Sequence, residues 1–304
     1  MKNETRGTLL AIAAAIVSGL AIPANKLFIV DIDPLVFTAL RSLLIGTGFL
    51  LVMYLASGRT RSAGHKLWKL PWKHAIAIAA IGGSAAFLLF FSGLQLTTAG
   101  RAAFLQKTLP LYVTVFAVLF LGEKISAKHA GAVLAMAAGT AAVYFASIAP
   151  GGLWTNPSLG DILVISATVM WAAEAVISKH AMNKGAGNIE VSFSRMFLGG
   201  IMLMASLILA GKSSVLLAMS AYQWTSILAS TAILFAYVLF WFWSIRMINV
   251  SKAASLLLIA PVISLSAGAA FLGEPVPLLQ AAGCAAIVAG AFMMSGTRSE
   301  TNDN

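Results

Sequence analysis

The chain has 304 residues, of which 60% are hydrophobic and only 10% are charged. Its mean hydropathy is +0.91, whereas a soluble globular protein carries about 25% charged residues. So few charges cannot cover the surface of a soluble protein of this length, and we therefore expect an integral membrane protein. Most soluble enzyme folds, nucleic-acid-binding domains and disulfide scaffolds are thereby excluded. The net charge of +10 is read as a mark of cytoplasmic loops rather than of an acidic partner.

Ten apolar stretches are long enough to cross a bilayer as helices. A hydrocarbon core about 30 Å thick needs roughly 20 residues at a rise of about 1.5 Å per residue. The stretches lack the polar–apolar alternation of barrel strands, so the sequence predicts an all-α membrane protein with ten transmembrane helices. These helices are predicted at about residues 7–29, 34–56, 74–95, 100–121, 126–146, 159–181, 189–210, 221–245, 251–272 and 276–295.

The distribution of Lys and Arg predicts which side of the membrane each loop faces. With the N-terminus inside, fourteen of the 20 basic residues fall on the inner side and only three near the outer side. We therefore expect both termini to be cytoplasmic, in an inner (plasma) membrane. The inner residues are Lys2, Arg6, Arg59, Arg61, Lys66, Lys69, Lys73, Lys124, Lys128, Lys179, Lys184, Arg246, Lys252 and Arg298; the outer ones are Lys26, Arg101 and Lys212.

The second half of the sequence repeats the first. The segment Ala102–Glu123 aligns without gaps to Ala253–Glu274 at an offset of 151 residues, with Pro110 matching Pro261. Both segments end in the tetrapeptide Phe-Leu-Gly-Glu. Weaker matches pair Arg41 with Arg195, Gly46 with Gly200 and Lys26 with Lys179.

Each half, residues 1–150 and residues 151–304, is therefore predicted to hold five helices. Because five is an odd number, the second half enters the membrane from the opposite side, which makes the repeat an inverted one. Inverted repeats are a common construction of alternating-access transporters, and their substrate sites lie near the midplane between the halves.

These motifs resemble the drug/metabolite transporter superfamily in its EamA branch. The resemblance rests on the Leu-Pro…Phe-Leu-Gly-Glu and Ala-Pro…Phe-Leu-Gly-Glu segments that close the fourth and ninth helices, each followed by a helix that contains glycine. It implies two EamA-type five-helix repeats, and a carrier that often exports amino acids or other metabolites. It also implies a central cavity lined by helices 1, 3, 4, 6, 8 and 9. Bacterial aromatic-amino-acid exporters are one neighbour that it suggests, but the substrate does not follow from it.

Lys107 is the first candidate for substrate binding. An ionisable residue inside the bilayer costs roughly 2.5–3.5 kcal/mol, so its presence needs a reason. Lys107 lies well inside the fourth helix, and its repeat counterpart is Leu258, so the scaffold does not require the charge. It can hold a substrate carboxylate, or it can snorkel to the outer interface. The neighbouring Gln106 either shares the cavity wall or satisfies helix backbone.

Glu174 is the carboxylate placed well inside a predicted helix, and Arg195 lies at a similar depth in the next one. A structural ion pair between them is one interpretation. The other is that Glu174 binds a substrate ammonium or a coupling proton. Arg41 matches Arg195, whereas the counterpart of Glu174 is Ala21, at an offset of 153. The outer half therefore holds Arg41 and Lys107 without an internal anion, which suggests an anion site. Alternatively, Arg41 caps a helix end or reaches headgroups.

Aromatic side chains are candidates for the walls of an apolar or aromatic substrate site. We expect Phe87, Trp171, Tyr237 and Trp241 to take this part, although an interfacial aromatic belt also explains Trp241. Asn25 and Ser255 are lesser candidates for substrate contact.

Pro110 and Pro261 each remove one backbone hydrogen bond from a helix. Their matching positions in the two halves favour hinges about which the fourth and ninth helices move. A static kink that serves packing is the alternative.

The sequence contains no phosphate-binding Gly-x-x-x-x-Gly-Lys motif, no metal-ligand spacing and no nucleophile–base arrangement. We therefore predict no enzyme activity and no cofactor. The expected function is secondary transport, by alternating access, that exports small metabolites, with amino acids, aromatic or apolar ones among them, as first candidates. Other metabolites or drugs (sugars, nucleosides, organic cations) and an intramembrane enzyme remain alternatives. The expected partners are a small-molecule substrate and the lipid bilayer, with no nucleic acid, for a chain that acts as a monomer, with an oligomer as the alternative.

Overall fold

The computed structural model describes residues 2–28, 32–60, 68–146, 158–272 and 275–297. Within these ranges the chain is helical and contains no strand, which confirms the all-α prediction. The long helices are α1 (Lys2–Phe28), α2 (Pro34–Thr60), α3 (Trp72–Leu96), α4 (Ala99–Gln106 and Leu109–Leu121), α5 (Ala127–Phe145), α6 (Leu159–Asn183), α7 (Asn188–Leu209), α8 (Ala221–Met247), α9 (Val250–Leu256, a 3₁₀ turn Leu257–Ile259, and Ala260–Leu272) and α10 (Leu278–Ser295).

All ten helices have the length of a membrane span. Nine helices within the described ranges are both long and apolar enough to cross a membrane. The tenth, α5, carries Lys128 and His129 in its first turn, which lowers its hydropathy. It has 19 residues against the 18 of α10, and it packs along α10. We therefore assign α5 as a span as well.

The contacts between α5 and α10 show the two-fold relation of the halves. A Cβ atom on Gly139 would lie 2.5 Å from the carbonyl oxygen of Gly283, and one on Gly290 would lie 2.9 Å from that of Ala132. An offset of 151 residues turns Gly139 into Gly290 and Ala132 into Gly283, so the two contacts exchange. Such self-complementary pairs are what a two-fold axis requires. The prediction of an inverted repeat is confirmed.

The same exchange relates the other helices. Gly46 of α2 packs against Phe197 of α7, and Gly200 of α7 packs against Leu43 of α2. Two further packings cross between the halves and are related in the same way: α1 packs on α8, and α6 packs on α3. The two halves therefore interdigitate across the axis and enclose a space between them.

Both α4 and α9 are interrupted at the same repeat position. In α4 the Lys107 N–H is shared between the carbonyl oxygens of Ala103 at 3.2 Å and Phe104 at 2.9 Å. The Thr108 N–H then donates three residues back, to Leu105 at 3.1 Å, and the regular helical hydrogen bonding breaks there. In α9 the interruption is the 3₁₀ turn Leu257–Ile259. Each break lies just before a proline, Pro110 or Pro261, which has no N–H to continue the helix. The breaks that the hinge hypothesis needs are present, while motion about them stays a prediction.

Candidate functional site

A cavity of about 1090 Å³ lies between the two halves. It extends from Trp171 and Leu257 near mid-depth to Ala24, Leu94 and Phe271, near the ends of α1, α3 and α9. These are the ends that lie away from the N- and C-termini, so the cavity faces that side of the molecule, here called the far side. Beyond the six helices that the sequence resemblance implied, α2 and α7 also contribute to its wall.

The terminal side is closed by hydrogen bonds that cross between helices. Glu123, after α4, accepts from the N–H groups of Val250 at 2.8 Å and Ser251 at 3.3 Å, and from the Ser251 hydroxyl. Lys252 donates to Glu4 of α1 at 2.8 Å and to the carbonyl oxygen of Thr297 at 2.6 Å. The Lys252 side chain is 1% exposed, so the ammonium group of this ion pair is shielded from water.

Two further side chains complete this closure. Lys179 of α6 donates to the carbonyl oxygens of Ile245 at 2.7 Å and Ile248 at 3.0 Å, where the end of α8 presents its negative dipole. The Ser244 hydroxyl donates to the carbonyl oxygen of Gly7 at 2.8 Å. We call the contacts of Glu4, Glu123, Lys179, Ser244 and Lys252 the terminal seal.

The charged residues of the cavity wall are all basic. Arg41, Lys107 and Arg195 line it, and no carboxylate does among the residues that the structure describes. On the far side, Asp33 is held by Lys212 at 2.6 Å and Asp161 by Arg101 at 2.5 Å. Neither of these two carboxylates is therefore free to pair with the basic residues of the cavity wall.

Pairing with Lys212 keeps the Asp33 carboxylate ionised at a position outside the membrane-spanning helices. Burial opposes its ionisation, but hydrogen bonds from Lys212 and from the N–H groups of Val36 and Leu35 outweigh burial. The pKa of Asp33 is therefore lowered, and the carboxylate stays ionised and bound to Lys212.

Glu174 lies behind the cavity wall in an ion pair with Arg195. The guanidinium donates to the carboxylate at 2.7 Å, and the Ser178 hydroxyl donates to its other oxygen at 2.6 Å. Glu174 is 0% exposed, and a Cβ atom on Gly82 would lie 2.2 Å from its Cγ. The tight crossing with α3 leaves no room for a ligand on that side. The geometry is that of the ion-pair interpretation, and Glu174 does not face the cavity in this state.

One wall of the cavity is aromatic. The Phe87 and Phe90 rings of α3 each lie 5.3 Å from Trp171 of α6, and Phe91 continues the row at 6.4 Å from Phe87. The Trp171 indole N–H donates to the carbonyl oxygen of Gly82 at 3.1 Å, which fixes the ring. Tyr237 and Trp241 of α8 also line the cavity. This surface suits a flat apolar or aromatic group.

The remaining candidates fall in different places. Gln106 lines the cavity beside Lys107. Ser255 is fully buried, donates to the carbonyl oxygen of Ser251 at 2.8 Å and lies between the cavity and the terminal seal, outside the cavity lining that the structure describes. The Asn25 side chain lies outside the described part of the molecule.

Sequence reasoning did not select two lining positions on α1, Ser18 and Ala21. Small side chains in an apolar helix give no chemical signal of their own. The repeat offset of 153 residues, which relates them to Trp171 and Glu174, is the signal that locates them.

Comparison with known proteins agrees with this architecture. The model of the EamA-like transporter family matches residues 5–145 and again residues 158–296. The chain belongs to this family. It is similar to the uncharacterized transporters YoaV and YvbV of Bacillus subtilis (strain 168). YoaV is 24% identical, and the match covers 94% of this chain and 95% of the relative. YvbV is 27% identical, with coverage of 94% and 90%. An uncharacterized transporter of Archaeoglobus fulgidus is 24% identical, with coverage of 91% and 94%.

A solved crystal structure shares the fold of this EamA-family chain. It superposes with a TM-score of 0.74 at 23% identity, over 95% of this chain and 96% of the other. The family match and the transporter relatives confirm the membership of the drug/metabolite transporter superfamily expected from the sequence motifs.

Proposed function

We propose that this transporter carries small carboxylates with an apolar or aromatic body, amino acids among them, and exports them by alternating access. The observation that carries the proposal is the cavity wall: basic side chains without a described carboxylate, beside a row of aromatic rings. A carboxylate adds charge-assisted hydrogen bonds to such a wall, whereas an organic cation is repelled by it.

Lys107 is positioned to receive the carboxylate. It lies at the break of α4, lines the cavity and makes no ion pair among the described residues. The aromatic row Phe87, Phe91 and Trp171 lines the same cavity and offers a surface for the body of the substrate. For an amino acid, the ammonium group does not meet Glu174, which is bound to Arg195. The faces of Trp171 and Tyr237, which line the cavity, offer it cation–π contacts.

The architecture supports alternating access. Two inverted halves enclose a cavity that is closed on the terminal side and faces the far side. Exchange of the conformations of the two halves produces the opposite state without a new fold. One chain surrounds the cavity, so a monomer suffices for function. The excess of basic residues in loops on the terminal side supports cytoplasmic termini in an inner membrane, and hence a cavity that faces outward.

Three compounds with one aromatic body test the proposal in proteoliposomes. Phenylalanine is a zwitterion, 3-phenylpropionate lacks its ammonium group, and phenethylamine lacks its carboxylate. We expect counterflow of one or both carboxylates and none of phenethylamine. Counterflow also identifies a carrier, because unlabelled substrate across the membrane from the labelled substrate accelerates exchange by a carrier but not flux through a channel. Preference for the amine would refute the proposal.

A further inference from the structure

The ion pair of the second half has an incomplete counterpart in the first. Glu174 binds Arg195, and the repeat relates these residues to Ala21 and Arg41 at offsets of 153 and 154. Arg41 keeps the charge, but Ala21 supplies no carboxylate. Both Ala21 and Arg41 line the cavity, whereas Glu174 is fully buried. The first half therefore has an arginine with a vacant position where the second half has an internal anion.

The surroundings of Arg41 leave its charge uncompensated. The residue is 6% exposed, one terminal nitrogen donates to the Ser230 hydroxyl at 3.0 Å, and the guanidinium lies 4.8 Å from the Phe37 ring centroid. Its Nε has no hydrogen-bond partner, and Arg41 makes no ion pair among the described residues. A guanidinium cannot lose its proton in a protein, whereas a lysine can. When the cavity closes and loses its water, Arg41 therefore needs an anionic partner, whereas Lys107 can release its proton instead.

We propose that the substrate carboxylate, which Lys107 binds in the open cavity, pairs with Arg41 in the space left by Ala21, and that this second pairing allows the far side of the cavity to close. The substrate takes the part for Arg41 that Glu174 takes for Arg195. In an inverted repeat, the packing around Glu174 and Arg195 shows the arrangement that the packing around Ala21 and Arg41 adopts when the far side closes. The α1–α8 packing matches the α6–α3 packing that holds Glu174 in place. This inference rests on the proposed function, because it requires an anionic substrate.

A tethered carboxylate tests the vacant position directly. Ala21→Glu supplies the acid that the second half already has, and Ala21→Gln has the same size without the charge. Uptake of 3-phenylpropionate by the Glu variant should be at least about tenfold below that of the Gln variant, the scale of one lost charge-assisted hydrogen bond. Equal uptake by the two variants would overturn the assignment.

A labelling measurement separates this inference from the proposed function, because it needs no transported compound. Ala103, on the cavity wall, is replaced by Cys in a Cys284→Ala background, which removes the single native cysteine. An impermeant maleimide is applied to membrane vesicles of both orientations. If an anion at Arg41 closes the far side, the maleimide applied from the far side should label Ala103→Cys severalfold more slowly in Ala21→Glu than in Ala21→Gln. Identical labelling of the two would refute the closure role, whatever compound the wild type carries.

Arg41 variants keep the inference testable if Ala21→Glu does not fold. Arg41→Lys keeps the positive charge, and Arg41→Gln keeps a hydrogen-bond donor without it. We expect Arg41→Lys to retain severalfold more 3-phenylpropionate uptake than Arg41→Gln at equal amounts of folded protein. Equal uptake by both variants would show that the charge at position 41 is not required, and the assignment would be wrong.

Discussion

The Arg195 guanidinium donates to the Glu174 carboxylate at 2.7 Å, and only the arginine reaches the cavity. The carboxylate is fully buried and therefore compensates a charge on the wall without competing for ligands there. The pair lies where α3, α6 and α7 meet, because the close approach of Gly83 to Gly199 brings α3 against α7. We therefore expect the pair to stabilise this three-helix junction.

Removal of this carboxylate should destabilise the protein strongly. Glu174→Ala leaves Arg195 without its acid partner, and breaking one side of a buried ion pair typically costs about 3–5 kcal/mol. We expect a clear drop in the midpoint of thermal unfolding in detergent. The double variant Glu174→Ala/Arg195→Met removes both charges and should recover part of the loss. A single variant as stable as the wild type would show that the pair is not structural.

Lys107→Ala should weaken the binding of carboxylate substrates by about 2 kcal/mol, the scale of a hydrogen bond to a charged group. Lys107→Arg is expected to restore binding poorly, because the guanidinium is larger and planar. The measurement is the concentration dependence of 3-phenylpropionate uptake. Lys124→Ala is the matched control, since this exposed lysine lies outside the cavity. Unchanged binding in Lys107→Ala would show that Lys107 does not hold the substrate carboxylate.

Much of the fold could be predicted because the relevant signals are local or repeated. The length of apolar stretches predicts the spans, and the prolines predict where α4 and α9 break. The π-helical segments Ala79–Ala85 of α3 and Ser194–Leu198 of α7 were not predicted. They lie where Gly83 and Gly199 cross, and nothing in either segment alone indicates that crossing.

The site could be predicted only in part. Ionisable residues inside helices stand out by their cost, so the equal depths of Glu174 and Arg195 suggested their pairing. Ser255 has no such signal, because a serine hydroxyl in a helix can bond its own backbone, as it does here to Ser251. Sequence depth alone did not show that it lies on the terminal side of the cavity.

The orientation prediction can be tested by cysteine labelling of intact cells. In a Cys284→Ala background, the cysteine of Ser62→Cys should react with an impermeant reagent only after the cells are opened. The cysteine of Ser213→Cys, at an exposed position beyond α7, should react from outside. The physical reason is the preference of Lys- and Arg-rich loops for the cytoplasmic face. External labelling at position 62 would reverse the topology and, with it, the proposed outward direction of the cavity.

The proline variants separate motion from binding. Pro110→Ala and Pro261→Ala restore the missing N–H, and we expect straighter, stiffer helices at the two breaks. Turnover should therefore fall more than substrate affinity does, because the bends serve the exchange between states. Counterflow rates and binding constants of the same purified variants provide the comparison. Folded variants with normal turnover would support a static kink instead.

The terminal seal should control access to the cavity from the side of the termini, and a substitution of Glu123 tests this. Its carboxylate accepts from Val250 and Ser251 at the start of α9, where the helix dipole favours a negative charge. In Glu123→Gln an amide NH₂ replaces one acceptor oxygen, so at least one buried N–H or O–H loses its partner, at a cost of about 1–3 kcal/mol to the closed state. A cost of about 1.4 kcal/mol would shift the balance between the closed and open states about tenfold.

The substitution Ser255→Cys, at a buried position next to the seal, reports on this balance. In the Cys284→Ala background, Glu123→Gln should raise the rate at which this cysteine is labelled from the terminal side about tenfold. Lys124→Gln, on the adjacent exposed residue, controls for the local loss of charge. If both variants label at the parent rate, the Glu123 contacts do not hold the terminal side closed.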